Sequence, residues 1–374
     1  MTKKMIKRLI FCLFSLATIG CFAQCYSPED EELRKKIGQM ILVGFRGTEL
    51  TTGNTIYRDI VDYNVGGVIL FEYDAPSGKR PRNITSRLQL QKMCKDMQKL
   101  RKEKLLISID QEGGSVNRLK EKYGFPSFIS AQAMGVENDP DTTMFYAALT
   151  GKVLNSTGIN LNFAPCVDLN VNPKCPVIGK IGRSFSSDPM QVIKHAEIWI
   201  NEQRKHGVIS AIKHFPGHGS SNTDTHLGIA NVSKTWTKDE LIPYAKLIEK
   251  NNVDMIMTSH VFNATIDSLY PATLSYKTLT LLLRKQMNFN GVIITDDLAM
   301  GAMTKHYSLD EIVELSILAG ADMLCLSNNG TVYDQDIVPK VINIIYTKVK
   351  NGIIPEERIN ESYLRITNLK KKIK

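Results

Sequence analysis

Val208-Ile209-Ser210-Ala211-Ile212-Lys213-His214-Phe215-Pro216-Gly217-His218-Gly219 opens as an apolar run and ends as a loop dense in titratable groups. Residues 208–212 enter like a buried strand, and Pro216 and Gly217 then break the regular backbone. Ser220-Ser221-Asn222-Thr223-Asp224-Thr225-His226 follows at once, so Lys213, His214, His218, Asp224 and His226 crowd into one reach of chain. Loops with that much chemistry are rarely mere connectors.

Working outward, the same form recurs. Apolar runs at 40–45, 67–71, 105–110, 161–167, 208–214, 255–260, 292–296 and 323–326 make eight. Between most of them lie amphipathic stretches long enough for a helix, at 86–102, 141–157, 190–206, 238–251, 274–287 and 309–319. Near-continuous apolar strands alternating with helices mean parallel strands covered on the outside. Eight such repeats predict a single (β/α)8 TIM-type barrel, with an open doubly wound sheet as the rival. An opening helix over 29–41 leads in, a C-terminal helix over 355–372 closes the chain, and no linker divides 24–374.

The 374 residues are 43% hydrophobic and 23% charged, ordinary for a soluble globular protein. The formal charge of +9 dissolves on inspection, because Lys3, Lys4, Lys7 and Arg8 sit in a leader and Lys370, Lys371, Lys372 and Lys374 crowd the end. No basic stripe with interleaved aromatics remains in the body, which argues against nucleic acid as a partner.

Residues 1–23 read as a signal peptide, with a basic start, an apolar run at 9–19 and small residues at Cys21 and Ala23 that suit cleavage before Gln24. The run is too short for a good membrane span. Gly20-Cys21 makes lipid attachment the alternative, with Thr18 a poor residue for that signal. An exported protein, periplasmic or secreted, is expected. Cys94 and Cys325 read as small buried thiols, whereas Cys166 and Cys175 flank a loop and leave a bridge open.

A barrel gathers its active site at the C-terminal ends of its strands. Every unusual cluster falls there. The third run ends in Asp110-Gln111-Glu112-Gly113-Gly114-Ser115-Val116-Asn117-Arg118, where acids can serve catalysis, metals or sugar hydroxyls and the glycine pair lets backbone approach a ligand. The fourth leads to Asp168, read as a loop holder, and on to Arg183. The sixth ends in His260, a ligand or a hydrogen-bonded wall residue. The seventh ends in Asp296-Asp297, and adjacent carboxylates at a strand end point differently, so their tasks differ.

Two readings compete for the opening loop. His214, His218, His226 and Asp224 supply enough ligands for zinc, but no metal motif accompanies them. The other is acid/base work by Asp224 and His226, the carboxylate orienting the imidazole. No metal and no cofactor are expected. A phosphate cradle and a nucleophile elbow are both missing, which leaves a pocket of carboxylates, cations and histidines suited to a sugar. Arg118 and Arg183 can fix hydroxyl pairs beside acceptors such as Asp110, and a carboxylate with a proton donor can cleave a glycosidic bond.

These motifs, with Leu282-Leu283-Arg284-Lys285-Gln286, Gly291-Val292-Ile293-Ile294-Thr295-Asp296-Asp297-Leu298, Arg358 and Arg365, resemble glycoside hydrolase family 3, in its bacterial β-N-acetylglucosaminidase branch. The resemblance implies a TIM barrel and a retaining reaction through a covalent glycosyl-enzyme. Asp296 matches the nucleophile, with Asp297 the more structural of the pair. Asp224 and His226 match an Asp-x-His dyad that donates and retakes the proton, with Thr225 where serine is more usual. Asp110, Arg118, Arg183, Lys213 and His214 match positions that hold the aminosugar. Lys213 and His214 are expected to favour the ionised form of Asp296, and the dyad loop to deliver His226 only with substrate bound.

The expected protein is a monomeric exo-β-N-acetylglucosaminidase acting on small carbohydrates such as peptidoglycan fragments or chitin-like oligosaccharides. Another exo-glycosidase, a glycoside phosphorylase or a degenerate sugar-binding barrel are the alternatives.

Overall fold

Apolar runs that must hide both faces pair into a ring, which gives every strand edge a partner. The computed structural model describes residues 27–373. Eight parallel strands run in chain order as β1 Ile41–Gly44, β2 Gly67–Leu70, β3 Leu106–Ile109, β4 Leu161–Asn162, β5 Ile209–Phe215, β6 Met255–Thr258, β7 Val292–Ile294 and β8 Leu324–Leu326. Each pairs with its successor from β1 to β7, and β8 pairs with β1. A bridge from Ile294 to Met323 joins β7 to β8, with Met323 N donating to Ile293 O at 3.0 Å. The ring is therefore closed, and the open sheet is excluded.

Helices Arg87–Gln98, Pro140–Thr157, Pro189–Lys205, Ile242–Glu249, Lys277–Gln286 and Leu309–Ala319 lie where the amphipathic stretches predicted them, and Pro28–Gln39 leads in. Four further α-helices among the described residues were not foreseen, of which Ala131–Glu137 and Gly301–Thr304 are short. Thr55–Val61 is only 7 residues long and has no side-chain cap. Ile337–Lys350 is rich in β-branched residues and carries Pro339, which its first turn tolerates.

The expected fourth strand shrinks to two residues. Pro165 has no N–H to give the ladder, and pairing resumes only at the bridge from Cys166 to Lys213. That interruption bends the chain so that Asp168 reaches the end of β5.

The seam between β7 and β8 is braced from below by Asp322, which is fully buried. It accepts from Ile293 N at 2.9 Å, Ser362 Oγ at 3.0 Å, Arg358 Nη2 at 3.0 Å and Arg365 Nη1 at 3.1 Å, and also from Arg284. The C-terminal helix Glu356–Lys370 is thus tied to the barrel's closure by the arginines that made it recognisable.

The expected leader and Cys21 lie outside the described residues. No described helix is long and apolar enough to cross a membrane. Cys94, Cys166, Cys175 and Cys325 are free and buried, so the bridge left open between Cys166 and Cys175 is not formed.

Candidate active site

One cavity of about 520 Å3 opens at the C-terminal ends of the strands, and Asp110, Arg118, Arg183, Lys213, His214, Asp224, His226 and Asp296 all line it. Ile69, Phe163, Met257 and Cys325 line it too, presented from β2, β6, β8 and the end of β4, so the cavity sits above a packed core and the barrel is no pore.

β3 delivers Asp110 and Glu112, and β5 delivers Lys213 and His214. The Lys213 ammonium, nearly inaccessible to solvent, donates to Asp110 Oδ1 and reaches Glu112 Oε1, each at 2.7 Å. Arg183, from the long loop after β4, grips Glu112 with two nitrogens, Nε to Oε2 at 2.9 Å and Nη2 to Oε1 at 2.7 Å. Its Nη2 also lies 3.1 Å from His214 Nε2. On the other side of that ring, His214 Nδ1 meets Asp168 Oδ2 at 2.6 Å. An ionised Asp168 requires a proton on Nδ1, so Nε2 is the acceptor and Arg183 the donor. Arg118 stands looser, 3.8 Å from Asp110.

Burial opposes charge on Glu112, yet Arg183 and Lys213 hold its carboxyl down to about 2. Burial likewise opposes the charges on Lys213 and Arg183, and the neighbouring carboxylates outweigh it, raising both. Sequence reasoning passed over Glu112 as one acid among several. The signal was present in the alternation after β3, which turns Asp110 and Glu112 the same way.

Asp168 is the loop holder it was read as. Its carboxylate accepts from His214 N at 3.2 Å, His218 N at 2.8 Å and Cys166 Sγ at 3.1 Å. The four residues of the competing zinc reading do not converge on one point. His214 is engaged on both nitrogens, and His218 turns its Nε2 to Thr225 Oγ1 at 3.2 Å. Among the described residues, only Cys166, Asp168 and His214 bring ligand atoms close enough to suggest a metal, and their mutual hydrogen bonds account for that closeness. The glycine pair also proves structural. Gly113 takes a positive φ of 95°, and a Cβ there would lie 2.1 Å from Ile129 O, so it admits neighbouring backbone instead of a ligand.

β7 ends in the two aspartates, and they part as expected. Asp297 is spent on structure, accepting from Ser327 N at 2.9 Å and Ala299 N at 3.2 Å and from the Ser327 hydroxyl, and burial pushes its carboxyl up. Among the described residues, the Asp296 carboxylate receives only the N–H of Asp297, at 2.8 Å on Oδ1. Burial would raise it too, but the imidazoles of His260 and then His214, with that N–H and His226, bring it below the usual carboxylate range. The expected helper Lys213 is taken up by Asp110 and Glu112 instead, and His260 was the partner overlooked. His260 is itself a wall residue, bonded to Thr273 Oγ1 at 2.8 Å and Asp297 O at 2.9 Å.

The dyad meets as the spacing allowed. His226 Nδ1 and His226 N both lie on Asp224 Oδ1, at 2.7 Å and 2.8 Å. The imidazole is 65% exposed at the cavity mouth, and with Nδ1 committed to Asp224, Nε2 is the nitrogen left to exchange a proton. The loop is seated. Ala302 N donates to Thr225 O at 3.1 Å, Gly301 N to His226 O at 3.2 Å and Lys305 Nζ to Leu227 O at 2.8 Å. The segment following Asp296 and Asp297 therefore carries the dyad, bringing a carboxylate favoured in its charged form and a carboxylate-oriented imidazole to one cavity. Such a pair is able to attack and protonate one bond.

Residues 32–369 match the Glycosyl hydrolase family 3 N terminal domain. A beta-hexosaminidase A of Pseudoalteromonas piscicida is 32% identical over 334 residues, covering 83% of this chain and 54% of the relative. A beta-hexosaminidase of Tolumonas auensis is 35% identical over 295 residues, 77% of this chain and 83% of the relative. The solved glycoside hydrolase family 3 beta-N-acetylglucosaminidase of a Paenibacillus species superposes with a TM-score of 0.82 at 32% identity, over 91% of this chain and 62% of that one. The chain thus spans about half the length of the first of these relatives. With the closed barrel, the seam arginines and the cavity all in the matched span, the chain belongs to glycosyl hydrolase family 3, whose N-terminal domain it carries.

Proposed function

We propose that this protein is a retaining exo-β-N-acetylglucosaminidase that removes terminal N-acetylglucosamine from short fragments of peptidoglycan or chitin-like oligosaccharides. The observation that carries this reading is the convergence of Asp296 and the Asp224–His226 pair on one cavity. In the first step Asp296 Oδ attacks the anomeric carbon while His226 Nε2 gives its proton to the departing oxygen. In the second step His226 takes a proton from water, which displaces Asp296. Asp224 holds the imidazole by Nδ1 and stabilises its protonated form. Asp110, Arg118, Arg183, Lys213 and His214 hold the sugar hydroxyls and the acetamido group. A leader at 1–23 would place the enzyme outside the cytoplasm.

Names of the relatives support the aminosugar, and the lowered carboxyl of Asp296 supports its part as nucleophile. The test is hydrolysis of nitrophenyl β-N-acetylglucosaminide beside the matching β-glucoside, with chelator present, by wild type and Asp296→Asn. Release from the aminosugar alone, lost in the variant, is the expected outcome. Preference for the glucoside, or full activity in Asp296→Asn, overturns the substrate class or the nucleophile respectively.

A further inference from the structure

Beneath the dyad loop lies a carboxyl group that the proposed reaction leaves unused. Glu240 is 1% exposed, and among the described residues no lysine or arginine pairs with it. Its Oε2 accepts from Gly219 N at 3.1 Å, while its Oε1 is buried with no hydrogen-bond partner among the described residues. Its stem presses on the turn that opens the loop, since a Cβ on Gly217 would meet Glu240 Cβ at 2.7 Å and Oε2 at 2.8 Å. Trp236, four residues before it, donates from Nε1 to Pro216 O at 3.0 Å, so the whole short segment clasps the 216–219 turn.

The groups around Glu240 disfavour a second negative charge. Asp168 comes from the loop after β4, already ionised and bonded to His214 and to His218 N. His218, from the turn itself, is lowered to about 4 by burial and by His214, and so is neutral above that. Tyr244, on the helix that follows Glu240, and Cys166 are pushed far up by burial and stay uncharged. Lys238 and Asp239 on its own segment are exposed. Burial, with Asp168 adding to it, outweighs the hydrogen bonds that Ser220 and the N–H of Gly219 give the charged form, and pushes the Glu240 carboxyl up to about 7. From the turn, His218 reaches on through Nε2 to Thr225, the residue between the two dyad members.

We propose that Glu240 is a positioning residue for the Asp224–His226 dyad: as a neutral acid it seats the 217–220 turn, and loss of its proton unseats that turn and withdraws His226 from the cavity. An anion there must be solvated, and of the elements packed on it the turn is held by single hydrogen bonds, from His218 N to Asp168 and from Trp236 Nε1 to Pro216 O, whereas β5 is paired into the barrel. The proposal rests on the reading of the dyad as proton donor.

The test measures kcat and KM for nitrophenyl β-N-acetylglucosaminide from pH 5.5 to 9 in wild type and Glu240→Gln, an amide that still accepts from Gly219 N but cannot ionise. We expect the alkaline limb of kcat to move upward by about one pH unit or more in the variant. In parallel, Trp199→Phe leaves Trp236 as the sole tryptophan of the two in the chain. Its emission should titrate with the activity, and should be flat when Glu240→Gln is added. Superimposable pH profiles in wild type and Glu240→Gln overturn the proposal, as does a pH-invariant Trp236 emission while activity falls. Should Glu240→Gln fail to fold, the Trp199→Phe titration decides alone. A wild type inactive at every pH sinks the enzymatic reading, while the emission titration still judges the link between carboxyl and loop.

Discussion

Arg183 and Glu112 meet as a fork, Nε to Oε2 at 2.9 Å and Nη2 to Oε1 at 2.7 Å, with Lys213 on the same Oε1 at 2.7 Å. One buried carboxylate thus sets the position of two cations proposed to hold the sugar. Glu112→Gln keeps the shape and removes the charge, leaving Lys213 with Asp110 and Arg183 with the more distant Asp168 to balance them. Breaking a buried pair from one side costs roughly 3–5 kcal/mol. We expect a melting temperature lowered accordingly and a KM raised more than kcat falls. A variant with wild-type KM would show that the fork serves the fold alone.

Asp296 and Asp297 are adjacent, and their environments assign them opposite outcomes. Asp296→Asn removes no hydrogen bond that the barrel depends on, so stability should hold while turnover drops by roughly three orders of magnitude. Asp297→Ala strands the N–H groups of Ser327 and Ala299 and should cost about 1–3 kcal/mol of stability. Thermal melts of the two variants beside their rates separate the cases. A stable, active Asp297→Ala would contradict its structural part.

At the seam, Asp322 gives the pH dependence of folding at the acid end. Burial would raise its carboxyl, but Arg284, Arg358 and Arg365 hold it below its ordinary value of 3.8. A group depressed in the folded state adds stability above its unfolded value and loses it as pH falls through the folded one. Glu112 behaves alike, being held at about 2. Stability should therefore decline below about pH 4, and Asp322→Asn should flatten that decline while lowering stability at neutral pH. Urea melts from pH 2.5 to 7 measure both. An unchanged acid slope in the variant would remove Asp322 from the account.

How far the chain discloses itself can be judged from these same residues. The eight apolar runs were legible because strands buried on both faces need no alternation, and their number favoured a ring, whose closure over the rival open sheet rests on the bridge from Ile294 to Met323. Asp110, Lys213, His214, Asp224, His226 and Asp296 were legible because each ends a strand or rides the loop beyond. Glu112, Asp322 and His260 were not, because their importance lies in partners 36 or more positions away in the chain, which local pattern cannot supply. Helix Ile337–Lys350 was missed because its β-branched residues favour strands when taken alone, and packing overrules them. The glycines of 113–114 misled for a related reason, since sequence shows that backbone must come close but not to what.

Gly301 sets how near the dyad can stand to Asp296. Its N–H donates to His226 O at 3.2 Å, and a Cβ there would lie 2.6 Å from that same oxygen. Gly301→Ala must therefore push the loop outward, while leaving Asp110, Arg183, Lys213 and His214 untouched on the far wall. Displacing a proton donor by about 1 Å costs roughly a hundredfold in rate. The loss should depend on the leaving group, because nitrophenolate departs with little help and a sugar alkoxide needs the proton. We expect Gly301→Ala to lower kcat/KM, which reports the first step, by roughly a hundredfold for chitobiose and far less for nitrophenyl β-N-acetylglucosaminide, with unchanged affinity for N-acetylglucosamine. Asp224→Ala should show the same asymmetry while slowing both steps, since it frees the imidazole without moving the loop. Equal losses on the two substrates would mean that His226 is not the acid, and weakened sugar binding would mean that the loop builds the sugar site as well as the proton donor.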